Sequence, residues 1–175
     1  AKGLLIPIFL PYYYPDNISN SPRHFKDIVS YTSMISNFLS KLDTKIVSLS
    51  SLKYKKLAIE ELKSHYVEKN LQNKFSNLNK IISKDSTIKF SVNFRLIIDS
   101  NVSTGFFEAI SLNIPIILII EKKYENFSPK FSQIFKLLKN AKIAFTNETK
   151  AANFVNKIYP NDIDKWWNSK KAISV

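Results

Sequence analysis

The residues whose types and spacing suit chemistry best lie between Arg95 and Ile110, in the order Arg95-Leu96-Ile97-Ile98-Asp99-Ser100-Asn101-Val102-Ser103-Thr104-Gly105-Phe106-Phe107-Glu108-Ala109-Ile110. An apolar run gives way to a polar turn and then to helical spacing, so the polar residues fall at a strand-to-helix junction. A helix start offers unpaired N–H groups and the positive end of a dipole, a combination that suits phosphate. Ser100, Asn101, Ser103 and Thr104 add polar groups there, and Gly105 lets a ligand approach the backbone closely. Glu108 stands four residues beyond Thr104 on the same helix face and leans toward the N-terminal end, where a carboxylate can accept hydrogen bonds from a ribose diol. The plain alternative is that Ser, Thr and Asp here only cap a helix. Glu108 is not explained that way, because the capping-box position relative to Ser103 or Thr104 would be Phe106 or Phe107.

Other candidates each have an ordinary reading beside the functional one. Arg23 and His24 open the helix after the first strand and would face a ligand, although a His at a helix start is commonly just exposed. Lys53 follows a short strand-like run and could neutralise a phosphate, or be one solvated lysine among many. Trp166-Trp167 could stack on a sugar or sit at a membrane surface, or pack a final helix back onto the domain. Tyr12 to Tyr14, wedged between Pro11 and Pro15, line a cleft or stiffen a loop. No nucleophile has an adjacent base and no carboxylates are paired for glycoside hydrolysis, so the catalytic residues are not legible. Cysteine is absent and histidine is limited to His24 and His65, which leaves no zinc or iron ligand set. The expectation is a function with no resident metal or cofactor, or one assisted by magnesium.

The elements that position these residues alternate. Leu4 to Leu10 reads as a buried strand. Ser21 and Pro22 predict a helix start, followed by apolar spacing from Phe25 to Leu42. Ile46 to Leu49 predicts a short strand and Leu57 to Val67 a Lys-rich helix. The polar stretch 68–87, whose apolar stripe is thin (Leu71, Phe75, Leu78, Ile81, Ile82), predicts a surface helix or excursion. Ile88 to Phe90 and Arg95 to Ile98 predict strands, and Thr104 to Leu112 a helix ended by Asn113 in the left-handed region before Pro115. Ile114 to Ile120, uncharged and β-branched, predicts an interior strand. Helices over Ser128 to Asn140, Glu148 to Tyr159 and Ile163 to Trp167 enclose a last strand at Ile143 to Phe145. Strands alternating with helices imply an α/β fold, a Rossmann-like parallel sheet with helices on both faces, whose ligands bind outside the carboxyl ends of the strands.

At 175 residues, with 45% hydrophobic and 23% charged residues, one domain with a full core is expected and general disorder is excluded. The net charge of +12 raises a nucleic-acid reading. The lysines are scattered, however, with consecutive pairs only at Lys55-Lys56, Lys122-Lys123 and Lys170-Lys171. They read as solvated faces; no nucleic-acid partner is expected, and a nucleotide sugar or an anionic phospholipid surface is the alternative. No apolar run approaches the ~18 residues of a membrane span, and no secretory pattern opens the chain, so a cytoplasmic location is expected, with peripheral contact at the inner membrane as an option. The chain opens on Ala1 and enters a strand almost at once, which reads as the later part of something longer.

The pattern Arg-Leu-Ile-Ile-Asp-Ser-x-x-Ser-Thr-Gly-x-x-Glu-Ala, with Leu112-Asn113-Ile114-Pro115 behind it, resembles the donor-nucleotide region in the C-terminal domain of GT-B glycosyltransferases. It is also similar to turns of nucleotide-sugar 2-epimerases and of glycerophosphotransferases that use CDP-glycerol. With Ala151-Ala152 to Ile158, Asp162 to Trp167 and the Pro11 to Pro15 loop before a long helix, the chain looks like a family of transferases for bacterial surface polysaccharide or lipopolysaccharide. The resemblance is good from Arg95 onward and thin between Lys45 and Lys89. It implies residues 1–175 as one half of a GT-B fold, the C-terminal part of a two-domain transferase. It further implies a nucleoside-diphosphate sugar or polyol donor held by Ser103, Thr104 and Glu108, and a glycan or lipid-linked acceptor met by an N-terminal domain. An epimerase-like isomerase and a basic binding module for anionic lipid or nucleic acid are the rival readings.

Overall fold

The computed structural model of the protein describes residues 3–8, 25–55, 62–122 and 128–169. Their strands are β1 (Leu4–Ile8), β2 (Ser51–Lys55), β3 (Asn79–Ser83), β4 (Leu96–Asp99), β5 (Ile116–Ile119) and β6 (Ala144–Phe145). All pair in parallel, in the order β3-β2-β1-β4-β5-β6. The helices are α1 (Phe25–Ser40), α2 (Thr44–Leu49), α3 (Leu62–Lys74), α4 (Thr87–Ser91), α5 (Thr104–Ser111), α6 (Pro129–Asn140), α7 (Glu148–Ile158) and α8 (Ile163–Asn168). This is the expected Rossmann-like sheet.

The order follows from composition. β1, β4 and β5 are buried at every residue and occupy interior positions, where both faces are covered. β3, Asn79-Lys80-Ile81-Ile82-Ser83, is largely exposed and takes an edge, where polar residues discourage further pairing. From β1 the chain steps toward β3, and from β4 it steps the opposite way to β6. Right-handed crossovers then place α1 and α3 on one face and α5 and α6 on the other. α1 packs against α3 and α7, and α4 against α5.

The two strands at which the order reverses part company before they end. The ladder between β1 and β4 stops at the pair Leu5 and Ile97, although β1 runs on to Ile8 and β4 to Asp99. Pro7, which has no N–H to give a ladder, stands in that stretch. The two strands thus stop pairing short of the carboxyl end of the sheet, the place where doubly wound sheets take ligands.

Three expected elements differ. Ile46 to Leu49 is not a strand but most of α2; Ser50 Oγ donates to the Ile46 carbonyl at 2.6 Å, and the strand begins one residue later, at Ser51. Ile88 to Phe90 is likewise helical, in α4, where Ser91 Oγ donates to the Ile88 carbonyl at 2.7 Å. The stretch 68–87 is no excursion: it holds the end of α3, all of β3 and the start of α4. Val67 and Leu71 are wholly buried, and Glu68 forms an ion pair with Lys80 of β3. The Tyr12 to Tyr14 loop, the start at Ser21 and Pro22, and the residues Arg23 and His24 lie outside the described residues. Asn113 adopts φ 56°, the left-handed conformation expected of it.

Candidate functional site

The loop from β4 to α5 is built on Asp99, which closes β4 and is 2% exposed. Its Oδ1 accepts from the Asn101 N–H at 3.0 Å, and its Oδ2 from the Ser103 hydroxyl at 3.4 Å. Burial pushes the carboxyl pKa up to about 7, against the opposing pull of the Asn101 and Ser100 N–H groups and the Ser103 hydroxyl. Near neutral pH the group is thus poised between acid and carboxylate.

Ser100, also buried, shares a hydrogen bond of 2.8 Å between its Oγ and the hydroxyl of Tyr31 on α1. Ser103 is the N-cap of α5, its Oγ accepting from the Phe106 N–H at 3.3 Å. That hydroxyl is therefore engaged on both sides, as cap acceptor and as donor to Asp99. Thr104 is exposed in the first turn, and among the described residues no acceptor meets the Thr104 or Gly105 N–H. A Cβ on Gly105 would touch nothing closer than Ser103 Oγ at 3.5 Å, an ordinary contact. Among the described residues nothing else comes within 4 Å of that position. Glu108 follows one turn on, exposed on the same helix. Asn101, Ser103, Thr104, Gly105 and Glu108 accordingly line the loop and first turns of α5, whereas the hydroxyl of Ser100, also expected at the site, is turned into the core against Tyr31.

Lys53 does not join them. It lies within β2 rather than after a strand, is buried, and holds its ammonium 5.6 Å from the centre of the Phe90 ring on α4. It faces Asp85, whose carboxyl is held below the usual range first by its hydrogen bond to Lys89 and more weakly by Lys53. The two tryptophans sit at the opposite end of the sheet. Trp166 Nε1 donates to the Ala141 carbonyl at 3.2 Å, and Trp167 Nε1 to the Asn113 carbonyl at 3.1 Å and Oδ1 at 2.9 Å. Ala141 and Asn113 precede β6 and β5, so the indoles brace the amino ends of strands; the packing reading holds and sugar stacking beside Thr104 does not.

Tyr31 is the site residue that sequence reasoning passed over. It falls on the apolar stripe of α1 between Ile28 and Met34, where an aromatic residue reads as core; its hydroxyl was the available signal. A cavity of about 290 Å³ opens beside it, between α1 and the carboxyl ends of β5 and β6, with Ser33, Met34 and Thr146 in its wall. Among the described residues no three His, Cys, Asp or Glu side chains cluster to hold a metal ion.

A doubly wound parallel sheet with a helix start at its reversal point is the Rossmann-like architecture that the alternation of elements predicts. The chain matches the model of the LIC12162 family transferase over residues 1–174 and belongs to that family. In fold it is similar to accessory secretory protein 1,2 and 3 of Streptococcus pneumoniae, with a TM-score of 0.50 and 16% identity over 95% of this chain and 28% of that one. It is also similar to WaaG, a glycosyltransferase involved in lipopolysaccharide biosynthesis, with a TM-score of 0.52 and 12% identity over 98% of this chain and 42% of that one. The chain thus spans less than half the length of either. No curated protein sequence matches it significantly.

Proposed function

We propose that the chain is the donor-binding domain of a GT-B-type transferase that moves a sugar or phospho-polyol from a nucleoside diphosphate onto a surface glycan or lipid-linked acceptor. The observation that carries this reading is the first turn of α5 at the carboxyl ends of β1 and β4, where among the described residues two N–H groups lack partners and only Ser103 Oγ comes near a Cβ built on Gly105. Family membership supports transfer as the reaction class.

In this reading the diphosphate oxygens accept from the Thr104 and Gly105 N–H groups and the Thr104 hydroxyl, while Ser103 holds the turn as its cap and Glu108 accepts from the ribose. The departing group, a nucleoside diphosphate in sugar transfer and a nucleoside monophosphate in phospho-polyol transfer, gathers negative charge as its bond to the transferred group breaks, and donors aimed at it in advance lower that barrier. In its protonated form Asp99 sets no second negative charge beneath it. Transfer breaks the bond from the leaving oxygen to the sugar carbon or to the polyol phosphorus and makes one from the acceptor oxygen, whose proton passes to a base, with no change of oxidation state, so no resident cofactor is called for; magnesium would arrive on the donor. Acceptor and catalytic base would come from a second domain, and the charge of +12 suits work at an anionic inner-membrane surface from the cytoplasmic side.

Calorimetric titration with UDP, CDP and GDP tests the reading. One of them should bind; Thr104→Ala should weaken it about tenfold, the worth of a hydrogen bond to a charged group, and Gly105→Ala should weaken it by putting a methyl group where the diphosphate approaches the backbone. Equal affinity in both variants, or no preference over inorganic polyanions, would sink it.

A further inference from the structure

α1 reaches three successive loops at the ligand end of the sheet. Ser30 donates to Glu121 Oε1 after β5. Tyr31 meets Ser100 after β4 at 2.8 Å. Asn37 Nδ2 donates to Glu148 Oε1, at the start of α7 after β6, at 3.2 Å. The cavity described above is the space between the first and the last of these contacts.

The three differ in their surroundings. Asn37–Glu148 is exposed to water and Ser30–Glu121 is part-buried, whereas Tyr31–Ser100 is fully buried. A hydrogen bond between exposed groups is readily exchanged for water, while breaking a buried one strands two polar groups. Beside Tyr31 stands Tyr54 of β2, wholly buried, with a hydroxyl that has no hydrogen-bond partner among the described residues. Among the described residues the Ser100 hydroxyl makes one buried contact, to a helix on the face of the sheet opposite α5, while its N–H turns to Asp99.

We infer that Tyr31 is a positioning residue for the donor loop. By fixing Ser100 from below, it sets the direction in which residues 101 to 105 present their N–H groups, without touching the ligand itself. Its role in transfer rests on the donor reading above; its role in ordering the loop does not.

The test uses Tyr31→Phe, which keeps the ring and removes one oxygen, and Ser100→Ala, which removes the partner. In the ligand-free chain, hydrogen exchange at the Asn101 amide, held by Asp99, should quicken by roughly three- to tenfold in either variant, the range set by one net hydrogen bond, with no further gain in the double variant. Asn156→Ala, which cuts contacts of α7 with Lys41 and Asp43 just beyond the end of α1, should leave Asn101 unchanged. Nucleoside-diphosphate affinity should fall by the same factor in Tyr31→Phe and Ser100→Ala and no further in the double. Wild-type exchange in Tyr31→Phe, or effects of the two substitutions that simply add, would overturn the inference. Faster exchange in a chain that binds no nucleoside diphosphate would uphold the positioning role and remove the donor reading instead.

Discussion

A carboxyl group sealed at the end of β4 makes this fold lose stability as pH rises. Asp99 has a folded pKa of about 7 against 3.8 for the free group, so between those values the folded chain holds a proton that the unfolded chain releases. Stability contributed by the protonated form is complete below the unfolded value and lost as pH climbs through 7; the gap between the folded and unfolded values corresponds to a loss on the order of 4 kcal/mol. Asp99→Asn keeps an acceptor for the Asn101 N–H and should flatten this slope. In urea unfolding at pH 5 and pH 8, the variant should gain on the parent by the higher pH; a gap that is the same at both would refute the assignment. Gly105 gives a second prediction of opposing signs. It sits in a helical turn without a positive φ and with room for a methyl group, so Gly105→Ala should stabilise the fold by ~0.5–1 kcal/mol while weakening nucleoside-diphosphate binding. A gain in stability with unchanged affinity would mean that nothing approaches that backbone. The sequence placed both residues at the junction but could not tell Ser103 from Thr104 in their roles. Which hydroxyl caps depends on where helical dihedrals begin, and that shifts by a residue without altering the pattern.

At the level of elements, legibility tracked length and burial. β1, β4 and β5 announced themselves as continuous apolar runs, and α1, α6 and α7 as stripes long enough to show a 3.6-residue period. α2, with six residues, and α4, with five, are too short to display one, and their Ile-Val and Ile-x-Phe pieces imitate strands. β3 hid for the opposite reason: an edge strand carries Asn and Lys where an interior strand carries Ile. The junction of α2 with β1 is tighter than either element alone would suggest. A Cβ on Gly3 would lie 1.8 Å from the Leu49 carbonyl oxygen, a backbone atom, while the Gly3 carbonyl accepts from the Arg95 N–H at 3.1 Å and the Leu4 N–H donates to Ser50 Oγ at 3.2 Å. Both sides are pinned, so Gly3→Ala must displace main chain and should cost ~3 kcal/mol or more. Chemical denaturation of Gly3→Ala beside Gly105→Ala makes the comparison. The chain has two glycines, and substitution should lower the unfolding midpoint at the first and raise it at the second; a small effect at Gly3 would show that the end of α2 yields.

For the molecule as a whole, the parallel sheet separates two tasks along its strands. The amino ends are locked: Arg95 donates to the Tyr159 carbonyl at 2.9 Å, and Phe154, Trp166 and Trp167 form a chain of rings with neighbouring centres 5.5 Å apart. The carboxyl ends carry the parted strands, the open turn and the cavity. In a parallel sheet every loop of one kind lies at one end, so residues distant in sequence, such as Tyr31, Ser100 and Glu121, meet there. This is why the helix start could be read from local sequence while its support by α1 could not. The separation has an optical consequence, because both tryptophans of the chain stand at the end away from the proposed donor. Their rings are 8% and 9% exposed, so emission should be that of buried indole and should neither shift nor quench when a nucleoside diphosphate saturates the chain. Trp167→Phe removes the indole N–H that holds Asn113, and should destabilise the fold by ~1–2 kcal/mol, the value of a buried hydrogen bond and the lost ring area, while leaving nucleotide affinity unchanged. Quenching that follows the calorimetric binding curve would place the ligand at the amino ends of the strands, the reverse of the polarity on which the donor site depends.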